Sequence, residues 1–331
     1  MESTRAQQAG TVPLWLDLRE SDEPVRSGRL PEHAAGAPVH GVLLGPATTV
    51  DTVRRACALL TPPHDGGRDG HHGTVVAAPP PPGTDGRGPA ERAAEFAARV
   101  DRPRVAVALP ATDRGIADMS ALLDRGVPVQ LATCYSVRRC EQAAAAYLAA
   151  LRRAEARGED LARLASTVAF GLRPLDVRVD ALLDLAGGEE AKALRGTAAL
   201  LTARLARFAL DRVFDPVGSP VWRDLAAAGA VPLRLVWTDL GDGVSGGDPV
   251  TGYAAELGAP DAPVAVTTAA LGRVAGLRPR PRSAHRIGER AGHLDACLRW
   301  FGICPDDVAL RLEGEPLSPV LTRTPTPEGV A

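Results

Sequence analysis

The sequence has almost no lysine. Of its 38 Lys and Arg residues, Lys192 is the single lysine and the rest are arginine. Arginine stays protonated at neutral pH and cannot serve as an amine nucleophile. Imine chemistry therefore has only Lys192 and the N-terminal amine to draw on. Lys192 stands in Glu189-Glu190-Ala191-Lys192, near the start of a charged helical segment. A catalytic lysine loses its proton through desolvation or a neighbouring cation, and adjacent glutamates do the reverse. With abundant alanine, the arginine bias also reads as the codon usage of a GC-rich genome.

Other absences narrow the class. The five cysteines (Cys57, Cys134, Cys140, Cys297, Cys304) are odd in number and form no Cys-x-x-Cys pair, so free thiols are expected. No apolar run reaches ~18 residues and the stretch Met1 to Gly10 is polar, so the expectation is no membrane span, no signal peptide and a cytoplasmic location. A net charge of −2 argues against nucleic acid or an anionic membrane as the main partner. What is present is ordinary globular material: 331 residues, 45% hydrophobic, enough for one large domain or two small ones.

The apolar runs fall at strand spacing. Strands are expected over 12–18, 39–44, 74–78, 105–110, 127–133, 164–170, 233–237 and 264–267. Helical patterns lie over 50–60, 89–100, 114–125, 136–157 with Ser136 as N-cap, 189–214, 269–275, 290–301 and 306–312. Residues 1–11 and 316–331 read as loose tails around a folded region over 12–315. Eight short strands, mostly separated by helices, suggest a (β/α)8 TIM barrel; a doubly wound sheet gives a similar alternation.

Val105-Ala106-Val107-Ala108-Leu109-Pro110-Ala111-Thr112, with the segments around it, resembles the transaldolases. Trp15-Leu16-Asp17-Leu18 and Val25-Arg26-Ser27-Gly28-Arg29-Leu30 are similar to that family's opening. Gly67-Arg68-Asp69-Gly70, Val100-Asp101-Arg102-Pro103-Arg104-Val105, Tyr135-Ser136, Ala146-Tyr147-Leu148, Ala193-Leu194-Arg195-Gly196 and Trp222 to Ala230 continue the likeness in order. The resemblance implies a transaldolase-like (β/α)8 barrel, and in the family a lysine on the fourth strand forms a Schiff base with a ketose.

At the positions the resemblance assigns, that lysine is Ala108. The strand-one acid is present as Asp17. The strand-two Thr-Asn-Pro has become Leu44-Gly45-Pro46, and the strand-three glutamate has no counterpart. The strand-five Asn-x-Thr has become Gln130-Leu131-Ala132. The strand-six serine falls on Ala169 and its arginine on Pro174, beside Arg173. The strand-seven serine has become Asp239 and the following basic residue Gly243. Asp17 and Asp239 are the candidate catalytic residues, as an acid/base or, more blandly, as a hydrogen-bonding relic and a loop acid. Gly45, Ala108, Gln130, Ala132, Ala169 and Arg173 are the expected pocket lining.

Other features have plain readings. His64, Asp65, Asp69, His71 and His72 read as a polar surface loop, and no metal or other cofactor is expected. Cys134 reads as core packing, although it stands at a strand end. Pro79 to Pro82 reads as a stiff polyproline connector, and Arg278-Pro279-Arg280-Pro281-Arg282 as a solvated turn. The expected function is a transaldolase-family pseudoenzyme that binds a small metabolite or a protein partner. The alternatives are a repurposed enzyme (proton transfer, lyase or isomerase) using Asp17 and Asp239, and a transaldolase of the pentose phosphate pathway. Oligomeric state is left open.

Overall fold

The computed structural model describes residues 10–34, 39–60, 73–79, 88–241, 248–280 and 287–314. Eight parallel strands close on themselves in sequence order: β1 (Leu14–Leu18), β2 (Val39–Leu44), β3 (Thr74–Ala77), β4 (Val105–Pro110), β5 (Val129–Cys134), β6 (Thr167–Gly171), β7 (Arg234–Thr238) and β8 (Val264–Val266). β1 pairs with both β2 and β8, which closes the barrel and excludes the doubly wound alternative.

Helices cover the outside. They are α1 (Glu23–Arg26), α2 (Leu30–Ala34), α3 (Val50–Leu59), α4 (Pro89–Val100), α5 (Asp113–Leu123), α6 (Val137–Ala156) and α7 (Arg173–Ala186). Then follow α8 (Gly188–Ala193), α9 (Ala198–Val213), α10 (Pro220–Ala227), α11 (Pro249–Leu257), α12 (Thr268–Val274), α13 (Ile287–Trp300) and α14 (Pro305–Gly314). Alternation along each strand sends one set of side chains outward to the helices and the other inward. The outward set, with the helix faces, forms the larger core, including Leu14, Leu16, Val75, Val107, Val129, Phe170 and Trp237. The inward set is small: Trp15, Leu43, Val76, Ala106, Val236 and Ala265, with Ala108 against them. The Trp15 indole fills much of that interior, and Gly41 makes room for it, since a Cβ there would lie 2.6 Å from two ring atoms.

Several boundaries differ from the sequence reading. The segment expected as one helix over 189–214 is two, because Gly196, at φ 67°, breaks the run between α8 and α9. The expected start of the sixth strand is a short 3-10 turn, Leu161–Leu164, capped by Asp160, and β6 begins at Thr167. α7 was not assigned from sequence; Pro174 starts it, at a position where a missing N–H costs nothing. Ser136 caps α6 as expected, accepting from the Arg139 N–H at 3.2 Å. No helix among the described residues is long and apolar enough to cross a membrane.

Candidate functional site

β1 and β7 bring the two candidate carboxylates to one cation. Asp17 points inward from β1, two residues beyond Trp15, and Asp239 follows the end of β7. Arg19, just past β1, lies between them. Its Nε donates to Asp17 Oδ1 at 2.8 Å and its Nη2 to Asp17 Oδ2 at 2.5 Å. The same Nη2 donates to Asp239 Oδ1 at 2.7 Å. Thr238 Oγ1 donates to Asp239 Oδ2 at 3.0 Å, and the Arg19 N–H to Asp17 Oδ1 at 3.1 Å. Asp239 has a left-handed backbone (φ 52°), a conformation Asp tolerates better than most residues. Its carbonyl accepts from the Arg173 N–H at 2.8 Å, which fixes that turn.

The triad is partly open, with side-chain exposures of 31% for Arg19, 13% for Asp17 and 25% for Asp239. Burial works against the Arg19 charge, but Asp239 and Asp17 outweigh it and raise the guanidinium well above its ordinary value. Gly45 is needed beneath this network. A Cβ there would lie 2.1 Å from the Arg19 carbonyl oxygen, so only glycine allows the ends of β1 and β2 to approach so closely.

Tyr135 stands just past β5 and reaches the end of β6. Its ring covers Gly171, where an added Cβ would lie 2.2 Å from the ring. Desolvation raises the phenol well above its ordinary value, and the nearby Asp239 charge adds to this while Arg19 opposes it. The hydroxyl makes no hydrogen bond to any described residue.

The expected lining residues divide. Ala108 and Ala132, inward-facing on β4 and β5, are half-buried, as is Ala78 after β3. Gln130 and Ala169 are 2% and 1% exposed, so they belong to the barrel interior rather than to an open mouth. Gln130 Nε2 is committed to Thr167 Oγ1 across β5 and β6, at 3.0 Å. Gly45 is buried as well. The Arg173 side chain runs along Gly241 and lies close to Tyr253, whose hydroxyl donates to the buried Asp176.

Of the remaining features, Cys134 is fully buried, 3.6 Å from Cys140 Sγ. Lys192 is 61% exposed on α8 and paired with Glu189 at 2.8 Å, away from the barrel interior. Arg280 is tied to Glu256. The histidine-rich loop, Pro80 to Gly83, Gly243, Arg282 and the C-terminal stretch 316–331 lie outside the described residues, as do residues 1–9. Among the described residues no group of three or more His, Cys, Asp and Glu is placed to hold a metal ion.

Arg19 and Tyr135 were not anticipated from the sequence. Arg19 reads as an ordinary loop charge, and its partner Asp239 is 220 positions away. An arginine two residues after a strand-end acid was the available signal.

Comparison with known proteins adds an independent line. Residues 45–179 match the family model for transaldolase/fructose-6-phosphate aldolase. Transaldolase 1 of Streptomyces avermitilis is 36% identical over 216 residues, covering 63% of this chain and 56% of that protein. The transaldolase of a Parafrankia species is 31% identical over 286 residues, covering 76% of each chain. That of Mycolicibacterium paratuberculosis is 31% identical over 270 residues, covering 71% of each.

Proposed function

The chain belongs to the transaldolase/fructose-6-phosphate aldolase family, and within it we propose a barrel that has lost Schiff-base turnover and acts by binding a small metabolite or a protein partner. One observation carries this reading. An imine needs an amine, and the position that the resemblance gives to the lysine is Ala108, which packs against the barrel's inner cluster. The chain's single lysine is exposed on α8 and ion-paired. The self-paired state of the acids supports the same reading. A general base is weakened when its lone pairs are held by a cation, and Asp17 accepts twice from Arg19 at Oδ1 and once, charge-assisted, at Oδ2.

A second reading has a specific observation in its favour. Two carboxylates converge on one arginine in an open strand-end site, the arrangement from which a repurposed enzyme would draw proton-transfer, lyase or isomerase chemistry. The third reading, a transferase of a dihydroxyacetone unit in the pentose phosphate pathway, draws on the names of the relatives. It needs an amine that the described barrel interior does not offer.

The test is a transfer assay with a ketose phosphate donor and an aldose phosphate acceptor. The expected result is no transfer above a protein-free control. Transfer that persists through repurification contradicts the proposal. A different activity in the same protein, lost in Asp17→Ala, moves the conclusion to the second reading.

A further inference from the structure

We propose that the barrel mouth takes an uncharged polyhydroxy compound, gripped through its hydroxyls by Asp17, Arg19, Asp239 and Tyr135. The inference rests on the binding reading above and names its ligand class. Electrostatics exclude the charged alternatives. A phosphate or carboxylate approaching Arg19 meets Asp17 and Asp239 at the same guanidinium, at 2.5 and 2.7 Å. An ammonium approaching either carboxylate meets the Arg19 cation. Arg173, the other basic residue of the site region, lies beside Tyr253 and within reach of the Asp176 charge. A neutral ligand meets neither repulsion.

The hydrogen-bonding inventory points the same way. Arg19 uses Nε and Nη2 on the two aspartates, while its Nη1 has no partner among the described residues and is left to donate. The Tyr135 hydroxyl likewise has no hydrogen-bond partner among the described residues, and it can both donate and accept. Asp17 Oδ2 and both Asp239 oxygens each accept one hydrogen bond, fewer than they have lone pairs for. A hydroxyl both donates and accepts, so adjacent hydroxyls on a carbon chain match neighbouring acceptors (Asp17, Asp239) and donors (Arg19, Tyr135). Across the mouth the half-buried Ala78, Ala108 and Ala132 are small, which leaves room for the carbon skeleton beside them.

Sorbitol and sorbitol 6-phosphate make the test independent of imine chemistry, because neither has a carbonyl. Titration calorimetry of the full chain is expected to show sorbitol binding about tenfold or more tighter than its phosphate ester, with the diamine putrescine not bound detectably. Asp239→Asn keeps an acceptor and removes a charge, so the preference should shrink about fivefold or more as the ester gains affinity. Tyr135→Phe should weaken sorbitol several-fold with an unchanged urea midpoint, which separates lost contact from lost folding. Equal or tighter binding of the phosphate ester, best binding of putrescine, or no binding of sorbitol by folded wild type overturns the inference. Each of these outcomes leaves the binding reading to its own test, since that reading fails on transfer of the three-carbon unit and not on affinity.

Discussion

The two halves of the barrel mouth are built in opposite ways. On the β1/β7 side, Asp17, Arg19 and Asp239 form a connected set of charge-assisted hydrogen bonds. On the β3 to β5 side, the inward positions Ala78, Ala108 and Ala132 carry a single methyl each. The charged half pairs its charges internally and keeps spare hydrogen-bonding capacity, and the bare half has no polar group to pair. An active site is ordinarily the reverse, with polar groups held ready for a substrate and strained at the protein's expense. The contrast therefore places stability in the half where the resemblance retains an acid. It places single methyl groups at the positions that the resemblance gives to the family's lysine and hydroxyl.

Removing the cation should break this contrast most strongly. Arg19→Ala leaves two carboxylates facing each other without compensation. The loss of a buried partner costs about 3–5 kcal/mol, and the partial exposure of this set reduces that to about 2 kcal/mol. Arg19→Lys should recover about half, since an ammonium supplies the charge without the fork that grips both Asp17 oxygens. Urea unfolding of the three proteins measures both. An Arg19→Ala midpoint equal to wild type would mean that the charged half carries no stability.

A smaller effect lies just behind the bare half. Glu313, from α14, accepts from the backbone N–H groups of Tyr135 and Ser136 at 2.7 and 2.8 Å and from Ser136 Oγ at 3.0 Å. Burial raises its carboxyl above the ordinary glutamate value despite those donors. The folded chain thus holds that proton more tightly than the unfolded chain does. Its contribution to stability is fullest below the ordinary value and shrinks as pH rises through the raised one. Relative to Glu313→Gln, wild type should lose stability as pH climbs from about 4 into the neutral range. Urea midpoints at a series of pH values check the sign, and a wild type that gains on the variant with rising pH contradicts it.

The smallest effect is expected where the mouth is bare. Ala132→Thr adds a hydroxyl and a methyl to a half-buried position and should shift stability by no more than about 0.5 kcal/mol. A cost of several kcal/mol would show that the bare half is packed after all. Thermal melts of this variant beside Arg19→Ala give the two halves in one experiment.

How much of this was legible in the sequence follows from the distances over which each feature is encoded. The barrel was legible because each strand is a local apolar run and the order of strands is the order of the chain. Ser136 was legible as a cap because its acceptor role spans three residues. Asp17 and Asp239 were legible as strand-end acids. Their union was not, because it needs Arg19 to bridge residues that only barrel closure brings together. Gln130 was expected in the pocket, and instead its amide turns to Thr167, a partner set by β5/β6 register. Glu313 had no local signal, since its donors lie 177 and 178 positions earlier.

The claim that this barrel has no Schiff-base chemistry is tested most directly by borohydride trapping read by mass spectrometry. Wild type and Ala108→Lys are each treated with a ketose phosphate, or with a small reactive aldehyde, and then reduced. Wild type should give no substrate-dependent adduct at any barrel residue. Ala108→Lys should form an adduct with the aldehyde at residue 108, because desolvation against the inner cluster lowers the ammonium pKa. It should still fail to turn over, because groups of a catalytic unit fail together. A ketose-dependent adduct on a barrel residue of wild type would contradict the claim.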